Sequence, residues 1–255
     1  MTDKATTSEF IVSLKDNLMS DIRSKLYSRY VSTFKGTSKE SSSRNELLWL
    51  QKKYMPLLSG LSKNSSILEL GCGQGGFLAF LSKEGFTNTT GIDISPEQIE
   101  IAQRRGANAV HANVFEYLKI HNHNIDAIVA VDFIEHFSKD EVLPLMELSF
   151  NALKKGGILI LQTPNGEGLF PGQNIYGDMS HLTIFTPSSL HQLLAMVGYK
   201  DFIFLETGPA PISFKGRVRL ILWSLIKRVA NTIRRIETGK TQKLWTENFI
   251  CACKT

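Results

Sequence analysis

No run of about 18 uncharged apolar residues occurs in this chain, so no helix of its sequence is expected to span a bilayer. Cysteine is scarce: the three present, Cys72, Cys251 and Cys253, are too few for a disulfide framework. Cys251 and Cys253 are expected on opposite faces of one strand, so neither a disulfide nor a cysteine-held metal is expected. The opening residues Met1-Thr2-Asp3-Lys4 lack the basic and apolar regions of a signal peptide, and a reducing cytoplasm is the expected location. Internal repeats are absent. No grouping of His, Asp and Glu along the sequence has metal-ligand spacing, so no metal is expected. With 255 residues and 42% apolar content, the chain suffices for one α/β domain with appendages, while two full domains would be cramped.

What is present is punctuation typical of alternating strands and helices. Ile67–Leu70, Thr89–Ile94, Ala109–Val114, Ile125–Val131, Ile158–Gln162, Asp201–Glu206 and Phe249–Ala252 read as seven strands. Helices are expected over Gly76–Glu84, Pro96–Arg105, Lys139–Ala152 and Pro187–Val197, with Ser95 as a cap and Pro96 in a first turn. Upstream, Phe10, Leu14, Leu18, Ile22, Leu26 and Tyr30 repeat every four residues over 8–31, and Arg44–Leu58 reads as a second helix. The Ser/Thr-rich stretch 37–43 between them reads as a linker, giving an N-terminal cap over 1–44 and a main domain over 45–255. Repeated β-α units imply a mostly parallel, doubly wound sheet with right-handed crossovers.

The most informative stretch is Ile67-Leu68-Glu69-Leu70-Gly71-Cys72-Gly73-Gln74-Gly75-Gly76, with Asp93 closing the next apolar run 22 residues after Gly71. Glycines there allow a sharp turn and close approach of a ligand to bare backbone, and the aspartate is placed for ribose hydroxyls. Gly71, Gly73 and Gly76 satisfy the dinucleotide pattern, and Gly71, Gly73 and Gly75 satisfy that of S-adenosylmethionine enzymes. Glu69 tilts the balance, since an acid before the turn suits a cationic amino group and repels a pyrophosphate. A nicotinamide-dependent oxidoreductase is the rival reading.

The ELGCGQG turn, the GIDIS strand end, the VDFIEHF segment and LKKGGILILQTPN together resemble a class I S-adenosylmethionine-dependent methyltransferase. That resemblance implies a seven-stranded Rossmann-like sheet whose last strand is antiparallel and inserted between the fifth and sixth. It implies that Glu69, Gly71, Gly73 and Gly75 line the methionine end of the cofactor. By the same resemblance Asp93 would bind its ribose, Ile94 would pack on its adenine and the Asn113 amide oxygen would accept from the adenine amine. Asp132 and Phe133 would lie near the sulfonium. Aligning an acceptor and accepting its proton is the remaining task. His181, in Gly-Asp-Met-Ser-His-Leu-Thr-Ile-Phe-Thr, and His136 are the candidates for base or substrate contact, with Glu135 placed to orient either. His121 and His123 read as surface residues.

One feature does not belong to the plain fold. Between the sixth and seventh strands, residues 208–246 hold a basic amphipathic segment. Over 212–236, Val218, Leu222, Leu225, Val229, Ile233 and Ile236 recur at three- and four-residue steps. Lys215, Arg217, Arg219, Lys227, Arg228, Arg234 and Arg235 accompany them, with no acid before Glu237. Such a helix can lie on an anionic membrane, pack on its own domain or join a dimer. Nucleic acid is a poorer partner, because the basic stripe has no interleaved aromatic platform. The segment and the HLTIFT loop are similar to methyltransferases of bacterial surface polysaccharide pathways. A saccharide hydroxyl is the expected acceptor, and the ring hydroxyl of a quinone precursor is the alternative.

Overall fold

The structure, a computed structural model, describes residues 25–27, 29, 31, 32, 36 and 44–255. The expected helix over 8–31 lies mostly outside these residues, and the expected linker over 37–43 entirely so. Within 44–255 the order is α1 (Arg44–Leu58), β1 (Ile67–Leu70), α2 (Gly76–Lys83), β2 (Thr89–Asp93), α3 (Pro96–Arg104), β3 (Ala109–His111), α4 (Val114–Lys119) and β4 (Ile125–Val131). A 3-10 turn, Ile134–His136, follows. Then come α5 (Lys139–Ala152), β5 (Leu153–Pro164), α6 (Gly172–Tyr176), α7 (Pro187–Val197), β6 (Lys200–Glu206), α8 (Phe214–Thr238) and β7 (Asn248–Lys254).

The seven strands form one sheet in the order β3-β2-β1-β4-β5-β7-β6, with β7 antiparallel to both neighbours. This is the Rossmann-like methyltransferase fold. Strand order reverses at β1 and β4, and such a switch point opens a crevice beyond the carboxyl ends of the strands.

Two-residue periodicity sorts the strand side chains into two layers. Ile128, Ala130, Leu159, Leu161 and Cys251 face one core, beneath α5 and α7. Ala127, Val129, Ile160 and Ile250 face the other, beneath α1 and α2. Each buried Leu or Ile contributes roughly 1.5–3 kcal/mol, so a polar residue at any of these positions opens the sheet. Cys251 and Cys253 share one core, as residues two apart on a strand must; the expectation of opposite faces is corrected.

Some boundaries moved for local reasons. The third strand ends at His111 because Asn113 caps α4, its side chain accepting from the Phe115 and Glu116 amides. Ser95 occupies the N-cap of α3 with Pro96 behind it, yet its side chain makes no capping bond. The carboxylate of Asp93 takes the Ser95 amide instead, at 2.8 Å. In α5 the expected start is secured by a capping box between Ser138 and Glu141.

Candidate functional site

The β1–α2 turn runs through three left-handed glycines, with φ of +68° at Gly71, +51° at Gly73 and +79° at Gly75. No other residue enters that region as cheaply. Asp93, ending β2, secures the turn: its Oδ2 accepts from the Gly73 amide at 2.9 Å while Oδ1 accepts from Ser95. Each oxygen keeps a second lone pair, so one side chain can hold the turn and also accept from a ligand.

Above the turn lies a cleft of about 280 Å³. Gly71, Gly73, Asp93, Ile94, Asn113, Asp132, Phe133 and His136, all singled out from the sequence, line it. Two of the residues expected at the cofactor also serve the fold. Gly75 does not line the cleft; a Cβ there would meet the Cβ atoms of Ala102 and Ala107 at 3.1 Å, so this glycine serves the packing of α3. Asn113 lines the cleft, but its amide oxygen is engaged in capping α4, at 2.9 Å from the Phe115 amide.

Glu69 is buried and stands outside the lining of the cleft, with Oε2 lacking any hydrogen-bond partner. Burial pushes its carboxyl well above the ordinary range, and the charge of Asp93 adds to the rise. A buried acid with an unanswered oxygen is a seat for a cationic group. The site therefore fits S-adenosylmethionine on its own geometry. Glu69 would answer the amino group from behind the lining, Asp93 would take the ribose, and Ile94, Val114 and Phe115 would wall a flat ring.

Sequence reasoning missed Tyr27, Gln74, Gly76, Gln98, Phe115 and Phe137, which also line the cleft. Gln98 sits in the first turn of α3 and could have been found from that position. For Tyr27 no local signal exists: its ring meets His136 edge-on at 5.9 Å from another part of the chain.

Asp132 is the only described residue just beyond β4 with positive φ, +50°, in a region costly for a residue with a Cβ. A polar chain holds it there. The Tyr54 hydroxyl donates to Gln162 Oε1 at 2.8 Å, Gln162 Nε2 donates to Asp132 Oδ1 at 3.1 Å, and Asn248 Nδ2 donates to the same oxygen at 2.8 Å.

A second cavity of about 460 Å³ adjoins the first, sharing Asp132 and His136 with it. Glu135, Asn174, Asp178, His181 and Glu247 add polar walls. Two backbone bonds fasten its loop to the 3-10 turn, from the Leu182 and Thr183 amides to the Glu135 carbonyl at 2.8 and 3.1 Å. The His136 and His181 rings thereby stand 4.9 Å apart, centroid to centroid. Glu135, His136 and His181 each bring one donor atom within 4.8 Å of the others, so the fold assembles a group that could hold a metal. Spacing along the sequence does not announce this group: Glu135 and His136 are neighbours, but His181 lies 45 residues on, and the loop closure brings it to them. His121 and His123 stand apart, bonded to the Tyr117 and Leu153 carbonyls at 2.7 and 3.1 Å.

Comparison with known proteins agrees with this geometry. Residues 44–202 match the methyltransferase-domain family. Human EEF1A lysine methyltransferase 2 is 34% identical over 106 residues, 37% of this chain and 42% of the relative. The small RNA 2'-O-methyltransferase of Schizosaccharomyces pombe is 28% identical over 155 residues, 52% of this chain and 39% of the relative. The chain thus spans less than half the length of these curated relatives. A crystallised S-adenosylmethionine-dependent methyltransferase from Archaeoglobus fulgidus superposes with a TM-score of 0.63 at 21% identity, covering 89% of this chain and 98% of that one. With the glycine turn, the Asp93 clasp and the inserted antiparallel strand all in place, the chain belongs to the methyltransferase-domain family and has the fold of its S-adenosylmethionine-dependent members.

Proposed function

We propose that the protein transfers a methyl group from S-adenosylmethionine to a saccharide hydroxyl, and does so at an anionic membrane surface. The observation that carries the acceptor class is the second cavity. Eight of its ten lining residues carry carboxylates, amides or imidazoles, which suit a polyhydroxylated ligand. The apolar ring of a quinone precursor would leave those groups desolvated and unanswered, at a cost of a few kcal/mol (roughly 1–3 each). The 2'-O position named for the yeast relative is likewise a sugar hydroxyl.

When bound, the cofactor supplies a methyl group already joined to a good leaving group. The chain's own residues do the rest. Asp93 and the glycine turn fix one end of the cleft, while Phe133 and Phe137, edge-on to each other at 4.9 Å, form an apolar wall that keeps water out. The shared border of the two cavities, at Asp132 and His136, is where acceptor and donor meet. His181 donates from Nδ1 to the Ile175 carbonyl at 3.1 Å, which leaves Nε2 as the lone-pair nitrogen facing this chemistry. Alignment of this kind supplies several kcal/mol of a barrier, and proton acceptance about 10²–10⁴-fold more.

The test is a transfer assay with methyl-labelled donor over a panel of acceptors. Monosaccharides, nucleotide sugars and ribonucleosides stand against dihydroxybenzoates, lysine peptides and phosphoethanolamine. Label on a sugar oxygen is the expected result. Label only on a phenol or an amine overturns the acceptor class. Calorimetry with NADPH alongside S-adenosylmethionine addresses the oxidoreductase rival, and binding of the dinucleotide alone overturns the methyltransferase reading.

A further inference from the structure

We infer that Glu135, His136 and His181 bind a divalent cation where the two cavities meet, and that its remaining positions take neighbouring hydroxyl oxygens of the acceptor. Two imidazoles and a carboxylate make a three-ligand set that leaves coordination sites open. One donor atom from each residue lies within 4.8 Å of the other two. Ligands about 2.1 Å from a metal stand roughly 3–3.5 Å apart, a spacing that small ring and carboxyl rotations reach from here.

Independent features of the three side chains point the same way. Glu135 is fully buried, with Oε2 accepting from the Thr163 hydroxyl at 3.1 Å and Oε1 without a partner. An unanswered carboxylate oxygen in that position is costly unless something supplies a positive charge. Both histidines hold the tautomer a metal needs. His181 gives its Nδ1 proton to the Ile175 carbonyl. Ser180 Oγ donates to Asp178, so it can only accept from His136 Nδ1, at 3.0 Å. With Nδ1 so engaged, Nε2 is the nitrogen each ring would offer a metal. Bonds of this kind from the second ring nitrogen orient metal-binding histidines.

The surroundings are also suited to a cation. Asp132 and Asp178 line the same cavity, so the local field is negative. Imidazole ligands favour Mn²⁺, Co²⁺ or Zn²⁺ over Mg²⁺ and Ca²⁺, which take nearly all-oxygen shells. The loop holding His181 is fastened by three bonds: two to the Glu135 carbonyl, and one from the Thr183 hydroxyl to the Phe137 carbonyl at 2.7 Å. The ligands are therefore held on a stiff frame.

Only the acceptor half of this inference rests on the saccharide reading. With a cation bound, the two imidazoles would serve as ligands, and the proton-accepting role that His181 could fill without it would pass to another group. A cation held there would make an acceptor hydroxyl release its proton more readily, as it does for metal-bound water, and Asp132, which lines both cavities, would be placed to receive it.

The experiment uses the full chain, dialysed against a chelator and titrated with Co²⁺ without donor or acceptor, following visible absorption and calorimetric heat. One equivalent bound is expected. His181→Ala and Glu135→Gln should each weaken it at least tenfold, and a His121→Ala/His123→Ala variant should bind as wild type does. Circular dichroism checks each fold; should Glu135→Gln fail to fold, the loop variant His181→Ala decides alone. No binding by wild type, or equal binding by His181→Ala, overturns the site. The two proposals fail separately. Saccharide methylation undiminished after chelation removes the cation and leaves the acceptor class, whereas Co²⁺ binding with no saccharide methylation removes the acceptor class and leaves the site.

Discussion

Phe133 lies so close to Gly71 that a Cβ on the glycine would come within 2.3 Å of the ring's Cδ2. The first glycine of the turn is thus required by the protein's own aromatic wall, whether or not a ligand is bound. Gly71→Ala faces two costs, about 1–2 kcal/mol for a left-handed residue with a Cβ and about 1–3 kcal/mol for displacing the ring. The expected outcome is a lower melting temperature together with at least a tenfold loss of S-adenosylmethionine affinity by calorimetry. Wild-type affinity in the variant would show that the turn tolerates the displaced ring.

Asp93 joins the turn to β2 through the Gly73 and Ser95 amides. Removing its carboxylate leaves two amides in a buried setting, and each unsatisfied donor costs roughly 1–3 kcal/mol. Asp93→Ala should therefore lose stability as well as cofactor affinity, while Asp93→Asn, which retains one acceptor oxygen, should recover part of the stability. Thermal melts and calorimetry on both variants measure this. A purely ligand-facing aspartate would lower affinity and leave the melting temperature unchanged.

Glu69 ties stability to pH. Burial raises its folded-state pKa well above 4.5, so the folded chain keeps a proton that the unfolded chain releases. As pH rises through 4.5 and beyond, the group takes stability away, by up to about 1.4 kcal/mol per pH unit until the folded carboxyl ionises. Glu69→Gln does not titrate. Without cofactor it should match wild type near pH 4 and melt progressively higher than wild type as pH rises, while binding S-adenosylmethionine more weakly. A melting difference that stays flat with pH would rule out titration of Glu69.

The strands, the glycine turn and Asp93 were legible in the sequence because their causes are local: apolar runs of strand length, left-handed glycines, an acid at a strand end. Gly71, Gly73 and Asp93 reached the cleft from that reading, and Ile94, Asp132 and Phe133 from the family resemblance. What the pattern could not tell is that Gly75 is also required by the approach of Ala102 and Ala107. The grouping of Glu135, His136 and His181 was illegible for a different reason. It exists only once backbone bonds from Leu182 and Thr183 close the loop on the 3-10 turn, and no spacing along the chain encodes such a closure.

The helix before the last strand offers a further test, because its orientation is the reverse of an ordinary surface helix. None of the 25 residues of α8 is buried. Its half-buried side is mixed: Trp223 and Ala230 sit beside Lys227, which pairs with Glu206 at 2.5 Å, and Asn231, which accepts from the Gln242 amide at 2.7 Å. The apolar stripe, Val218, Leu222, Leu225, Val229, Ile233 and Ile236, points away from the domain, with Val229 and Ile233 about three-fifths exposed. At 100° per residue, Arg217, Arg228 and Arg235 fall together along one edge of that stripe. A symmetric pair of such helices would set those arginines near one another, whereas an anionic lipid surface neutralises them and covers the stripe together. The protein is therefore expected to cosediment with phosphatidylglycerol vesicles, more weakly as salt rises and poorly with phosphatidylcholine. Each arginine near such a surface is worth about 1 kcal/mol, so reversing Arg217, Arg228 and Arg235 to Glu should cut vesicle binding by at least about a hundredfold. S-adenosylmethionine affinity should stay the same. Arg234 is the wrong choice for this test, since it turns toward the domain and is half-buried. A wild-type chain that ignores anionic vesicles, and that sediments as a dimer dissociated by Val229→Glu, would assign the stripe to a second copy of the chain instead.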